Sequence, residues 1–155
     1  MSETIEARLA RLGVALPAAA APAASYLPYV LHGGVLYVSG QLPMTDQGLS
    51  CRGKLGASVS TEAGREAARI CAINILAQAK AALDGDLERI KQVLRLTGYV
   101  ASIPAFTDQH LVLNGASEFL AEALGECGRH ARAALGVAAL PLDASVEIDA
   151  IIAVG

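Results

Sequence analysis

The residue types best suited to chemistry in this 155-residue chain lie near its end: Arg132 and, fifteen positions later, Glu147, with Asp149 close by. A planar guanidinium can hold a carboxylate through two parallel hydrogen bonds. A glutamate within hydrogen-bond reach of a water can orient it and carry a proton. Both residues belong to expected strands, 132–140 and 145–154, around Pro141-Leu142-Asp143. Side chains alternate across a strand. Val146, Ile148, Ala150, Ile152 and Val154 therefore share a face that suits a helix layer, and Ser145, Glu147, Asp149, Ile151 and Ala153 share the face that helices leave bare. In the preceding strand Arg132 ends a row of small residues, Ala134, Gly136 and Ala138, which leaves room that an interface could enclose. Taken singly, an arginine at a strand end is ordinarily a solvated charge. A strand glutamate ordinarily lies on a wet face, and Asp149 suits pairing at an interface.

The elements that must position these residues follow from periodicity and punctuation. A short helix over 2–12, capped by Ser2 and ended by Gly13, leads into an alanine- and proline-rich connector over 16–24. Strands over 26–32 and 35–39 flank Gly33-Gly34, a hairpin signal. Residues 40–43 break the second strand, 45–48 form a polar turn, and 53–56 form a loop or short edge strand. Ser60 or Thr61 opens a helix to about Leu83, stopped by Asp84-Gly85-Asp86, with Ala67, Ile70, Cys71, Asn74, Ile75 and Ala79 as its packing stripe. A strand-prone run lies within 93–102. Pro104 then starts a second helix to about Leu124, with Phe106, His110, Leu113, Ser117, Leu120 and Leu124 on one face. The order β-β-α-β-α-β-β predicts an α+β fold, with one sheet and both long helices on one side. A neighbouring subunit is the economical cover for the other side. The expected organisation is an N-terminal helix and arm over 1–25 and one domain over 26–155.

Composition narrows the function classes. Hydrophobic residues make up 54% and charged residues 17%, against about 25% charged in average chains, and mean hydropathy is +0.44. Part of that excess suits surface covered by another copy. No run approaches the roughly 18 apolar residues of a membrane span, and the acidic start lacks the pattern of a signal peptide. Cys51, Cys71 and Cys127 are odd in number and show no CxxC spacing, which argues against a disulfide framework and a zinc site. A cytoplasmic setting is expected. Net charge of −3 and 4% aromatics argue against a nucleic-acid partner and for a small molecule. His32, His110 and His130 are scattered; His110, on the expected apolar helix face, reads as a core histidine. Glu126 and His130 flank Gly128 in a loop, so no metal site is expected there.

Several segments together resemble the RidA/YjgF family of reactive enamine/imine deaminases, also known by the older name L-PSP endoribonuclease. They are Tyr29-Val30, Val38-Ser39-Gly40-Gln41-Leu42-Pro43, Leu113-Asn114-Gly115-Ala116, Ala131-Arg132, Leu140-Pro141-Leu142-Asp143 and Val146-Glu147-Ile148-Asp149-Ala150-Ile151, in family order from about 26 to 154. The resemblance implies a chorismate-mutase-like fold and a homotrimer with clefts between subunits. It implies that Arg132 binds the substrate carboxylate, that Glu147 positions water, and that Tyr29, Ser39, Gly40 and Asn114 line the cleft. Aligning Asn114 takes one extra residue before Arg132. Many relatives carry Pro-Ala-Arg-Thr/Ser followed by cysteine where this chain has His130-Ala131-Arg132-Ala133-Ala134, so a thiol and a hydroxyl are missing. The N-terminal extension and Gly128-Arg129-His130 mark a longer branch.

The implied activity is hydrolysis of 2-imino or 2-enamino acids to 2-oxo acids and ammonia, without metal or organic cofactor. The first rival is a binding module that holds small carboxylates such as 2-oxo acids without turnover, favoured by Ala133 and Ala134. The second is a ribonuclease, for which an acidic chain with few aromatics is poorly equipped.

Overall fold

The computed structural model describes residues 2–22 and 24–155; Met1 and Ala23, both within the expected 1–25 arm, lie outside the described residues. The first long helix starts and stops where local chemistry dictates. In α2 (Thr61–Ala82) the Ser60 hydroxyl accepts from the Ala63 amide, satisfying one of the orphan donors at a helix start. Asp84 and Gly85 then turn the chain at φ +52° and +90°. A second long helix, α3 (Gln109–Leu124), ends at Gly125 with φ +71°. Both pack on one side of a five-stranded sheet ordered β1-β2-β7-β5-β6. Its strands are β1 (Tyr29–His32), β2 (Val35–Gln41), β5 (Ile90–Ala101), β6 (Ala131–Val137) and β7 (Val146–Val154). Among the described strands of this sheet only the β5/β6 pair is parallel, so the sheet is mixed. The fold is α+β, as the element order predicts.

Alternation decides which residues meet the helices. On β7, Val146, Ile148, Ala150, Ile152 and Val154 are buried, while Glu147, Asp149, Ile151 and Ala153 are half-buried on the bare face. Leu36, Leu96, Val100, Ile148 and Ile152 have no exposed surface and meet Cys71, Ile75 and Leu76 of α2 and Leu113 and Leu120 of α3 in one core. Full burial of each such aliphatic side chain contributes about 1.5–3 kcal/mol. The two helices approach closely at Gly115, where an added Cβ would overlap the Arg65 carbonyl oxygen and lie 2.8 Å from its carbon.

Several boundaries differ from expectation for identifiable reasons. Helix α1 (Ile5–Arg11) is capped by Thr4, whose hydroxyl accepts from Ala7 N, and not by Ser2. Its Ile5 and Leu9 are buried in the common core. Strand β1 starts at Tyr29 rather than residue 26, because Pro28 offers no N–H to a ladder. Strand β2 is not broken after Ser39 but runs to Gln41, absorbing the irregularity as a register shift against β7 between Val38 and Gln41. The polar turn at 45–48 is the tip of a small hairpin between β3 (Met44–Thr45) and β4 (Gly48–Leu49). Helix α3 starts at Gln109, not Pro104. The amides of Ser102 and Ile103 still bond to the Val137 and Leu55 carbonyls, and Phe106 N closes a turn on Ile103 O. His110, in the first turn of α3, is exposed rather than core, and Ile70 of the α2 stripe is only half-buried. No helix among the described residues is long and apolar enough to cross a membrane.

Candidate active site

Glu147 sits mid-sheet on the bare face. Its β5 partner is Tyr99, and Thr97 partners Asp149. The Tyr99 hydroxyl donates to Asp149 Oδ2 at 3.0 Å, holding that carboxylate beside Glu147. Desolvation first, and then the nearby Asp149 charge, raise the Glu147 pKa above the ordinary carboxylate value. Burial, with the hydrogen bond to Asp149 behind it, likewise raises the Tyr99 phenol. Gly40 leaves room for the Glu147 carboxylate to lie over the strand: a Cβ there would stand 2.7 Å from Glu147 Oε2 and 2.8 Å from its Cδ, and the side chain would have to move. Ser39 also faces this side, its hydroxyl donating to the Leu27 carbonyl at 2.6 Å. Tyr26, Tyr37, Ser39, Gly40, Pro141, Glu147 and Asp149 border one open notch.

Arg132 lies elsewhere. On edge strand β6 it pairs with Leu96 of β5, a fully buried residue of the helix side, and paired residues share a face. Its guanidinium therefore reaches towards α3, where Nη1 donates to Ser117 Oγ at 3.0 Å and Nη2 to the His110 carbonyl at 3.0 Å. Behind Ser117 stands His130. Its Nδ1 lies 2.7 Å from the Gly128 carbonyl and its Nε2 lies 2.9 Å from Ser117 Oγ. A carbonyl can only accept, so Nδ1 carries the proton, and in the neutral ring Nε2 accepts a hydrogen bond from the Ser117 hydroxyl. Desolvation first, and then the Arg132 charge, lower the His130 pKa, although the Gly128 bond opposes them. The neutral ring thus fixes the serine, and the serine fixes the arginine. Asn114, Ser117, His130 and Arg132 border one groove with Glu118 and Glu122.

The sequence candidates therefore fall into two groups within a single chain. Glu147, Ser39 and Gly40 gather on the bare face, and Arg132 and Asn114 gather at the β6–α3 edge. Tyr29 joins neither, because it pairs with buried Val38 and packs against the core. Tyr26 occupies the notch instead. Sequence reasoning missed Tyr99, Ser117 and His130. The Tyr99–Glu147 pairing is a matter of register between distant strands, which periodicity does not encode. For Ser117 the signal was its place on the same helix face as Leu113 and Leu120. Among the described residues, no three His, Cys, Asp or Glu side chains gather as a metal site.

The notch can hold a water beside a carboxyl group with a raised pKa, and the edge groove can hold an anion against a fixed guanidinium. Comparisons with known proteins agree with this architecture. A family described as "YjgF/chorismate mutase-like, putative endoribonuclease" matches residues 6–152. Protein TCP17 of Trypanosoma cruzi is 51% identical over 152 residues, covering 97% of this chain and 94% of that one. The crystal structure of protein Atu1372 from Agrobacterium tumefaciens is 53% identical, with TM-score 0.91 and coverage of 98% and 94%. RidA from an Antarctic Psychrobacter is more distant, at 29% identity, TM-score 0.62 and coverage of 88% and 94%. With its mixed sheet, its two-helix layer and a family match along nearly its whole length, the chain belongs to the YjgF/RidA, chorismate mutase-like family.

Proposed function

We propose that this protein hydrolyses 2-imino acids and their enamine tautomers to 2-oxo acids and ammonia, in clefts formed where three copies meet. The observation that carries the reading is the separation of Arg132 and Glu147 onto opposite sides of one sheet. Each has the setting that its role needs, and the two can serve one small substrate only if different copies supply them. Exposed Val30, Tyr37 and Leu135 on the bare face support its burial against another copy.

In this reading the guanidinium of one copy holds the substrate carboxylate, which places the adjacent C=N carbon over the Glu147 notch of the next. Glu147 accepts a proton from water as its oxygen bonds to that carbon and the C=N π pair moves to nitrogen. The proton then passes to the nitrogen to give a carbinolamine. Glu147 next moves the hydroxyl proton to the same nitrogen, the C–N bond breaks, ammonia departs, and the C=O bond forms. Positioning supplies much of the rate, because the electrophile is already reactive. The reaction takes up one water and calls for no electron donor or acceptor.

Mixing two disabled proteins tests both the chemistry and the cleft. Arg132→Ala and Glu147→Gln should each lower ammonia release from an imine formed in situ by about 10²–10⁴-fold. Unfolded together and refolded, they should recover activity at about one quarter of the sites, since random assembly gives each cleft one intact arginine and one intact glutamate with that chance. Spontaneous rates with the unmodified protein would overturn the reaction. Full activity in a monomeric solution state would overturn the shared cleft.

A further inference from the structure

The notch that carries Glu147 adjoins a second, smaller cavity. We propose that this cavity receives the substrate side chain, so that the preferred substrate is a 2-imino acid with a branched aliphatic chain of about four carbons. The inference rests on the imino-acid reading above and adds the substrate class.

Gly40 and Tyr26 border both spaces, so a molecule whose reacting carbon lies at Glu147 has the smaller cavity within reach. The walls are mostly apolar: Leu42, Met44, Leu142 and, from the N-terminal arm, Ala21. The volume is about 120 Å³. At roughly 30 Å³ for each water-sized group it takes about four such groups, which matches an isobutyl chain.

Two observations mark the cavity as built rather than left over. Leu142 and Asp143 adopt left-handed backbone, at φ +60° and +61°, a conformation that side-chain-bearing residues avoid unless their surroundings enforce it. The enforcement is visible: Arg52 Nη1 donates to the Leu142 carbonyl at 2.8 Å, and Gly53 N donates to the Asp143 carbonyl at 3.0 Å. That geometry keeps a large apolar side chain, 58% exposed, at the cavity wall. A second wall residue is also tethered, since the buried Gln78 side chain donates through Nε2 to the Ala20 carbonyl at 2.8 Å.

The test compares kcat/KM for imines formed in situ by oxidation of alanine and of leucine. The unmodified protein should favour the leucine-derived imine by about 10-fold or more. Ala21→Leu, at an exposed arm position, should fill the cavity and abolish that preference, lowering the leucine-derived rate far more than the alanine-derived one. Leu142→Gly, which opens the wall, is the second variant and should also erase the preference. Arg132-dependent turnover with equal rates for both imines, or a preference that survives both variants, would overturn the cavity assignment and leave the reaction standing. Calorimetry with 4-methyl-2-oxopentanoate and pyruvate separates the opposite case. Tighter binding of the branched acid, lost in Ala21→Leu, with no imine turned over would sustain the cavity and overturn the reaction; equal binding of the two acids with no turnover would overturn both.

Discussion

The two faces of the sheet use the same strands for opposite purposes. On the helix side of β7, Val146, Ile148 and Ile152 have no exposed surface. One residue along, Glu147 and Asp149 stand half-buried on a face that no helix covers. The sealed side is where close packing fixes the fold. The bare side is where desolvation is partial: enough to raise the glutamate pKa, but with water still at hand. The contrast explains why an acid is tolerated in mid-sheet. It also separates two kinds of glycine. Gly115 lets two helices touch, whereas Gly40 lets a carboxylate lie over the strand.

Substitutions at those glycines are the sharpest way to break the contrast. Gly115→Ala should cost stability by about 3 kcal/mol or more, since the new methyl meets backbone rather than a movable side chain. Denaturant unfolding would read this as a lowered midpoint; an unchanged midpoint would mean that the helix crossing is not tight. Gly40→Ala should leave stability nearly intact but displace Glu147, lowering the imine hydrolysis rate by about 10²-fold. Equal losses of stability at the two positions would erase the distinction between the faces.

The smallest effect is a dependence on pH. The folded-state pKa of Glu147 is raised, so the folded protein favours the neutral acid, and ionising it costs stability as pH rises through that value. Glu147→Gln should therefore be the more stable protein at neutral pH. That advantage should shrink as pH falls and vanish below the ordinary carboxylate pKa of 4.5. Thermal midpoints of both proteins from acid to neutral pH check the sign. An advantage that grows towards acid would show that the carboxylate form is the one stabilised.

Much of this architecture was legible in residue order. The alternation on 146–154 separated core from acids correctly, and Ser60 and Asp84-Gly85 bounded α2 within a residue or two. The boundaries that moved are those where hydrogen bonds reach across the fold: Ser102 and Ile103 stay with the sheet through Val137 and Leu55, which delays α3 to Gln109. His110, expected in the core, is exposed in the first turn of that helix.

By itself the sequence determined the periodicities, the caps and the residue types at positions 132 and 147, because those depend on near neighbours along the chain. Only the tertiary structure decided that Arg132 reaches α3 while Glu147 faces away from it. It also decided that Tyr29 packs inward while Tyr26 borders the notch, and that Ser117 and His130 steady the arginine. These outcomes depend on strand order and register, which are set when segments tens of residues apart pair. A parallel edge strand next to an antiparallel neighbour puts two residues fifteen apart on opposite sides of one layer, and no local pattern carries that information.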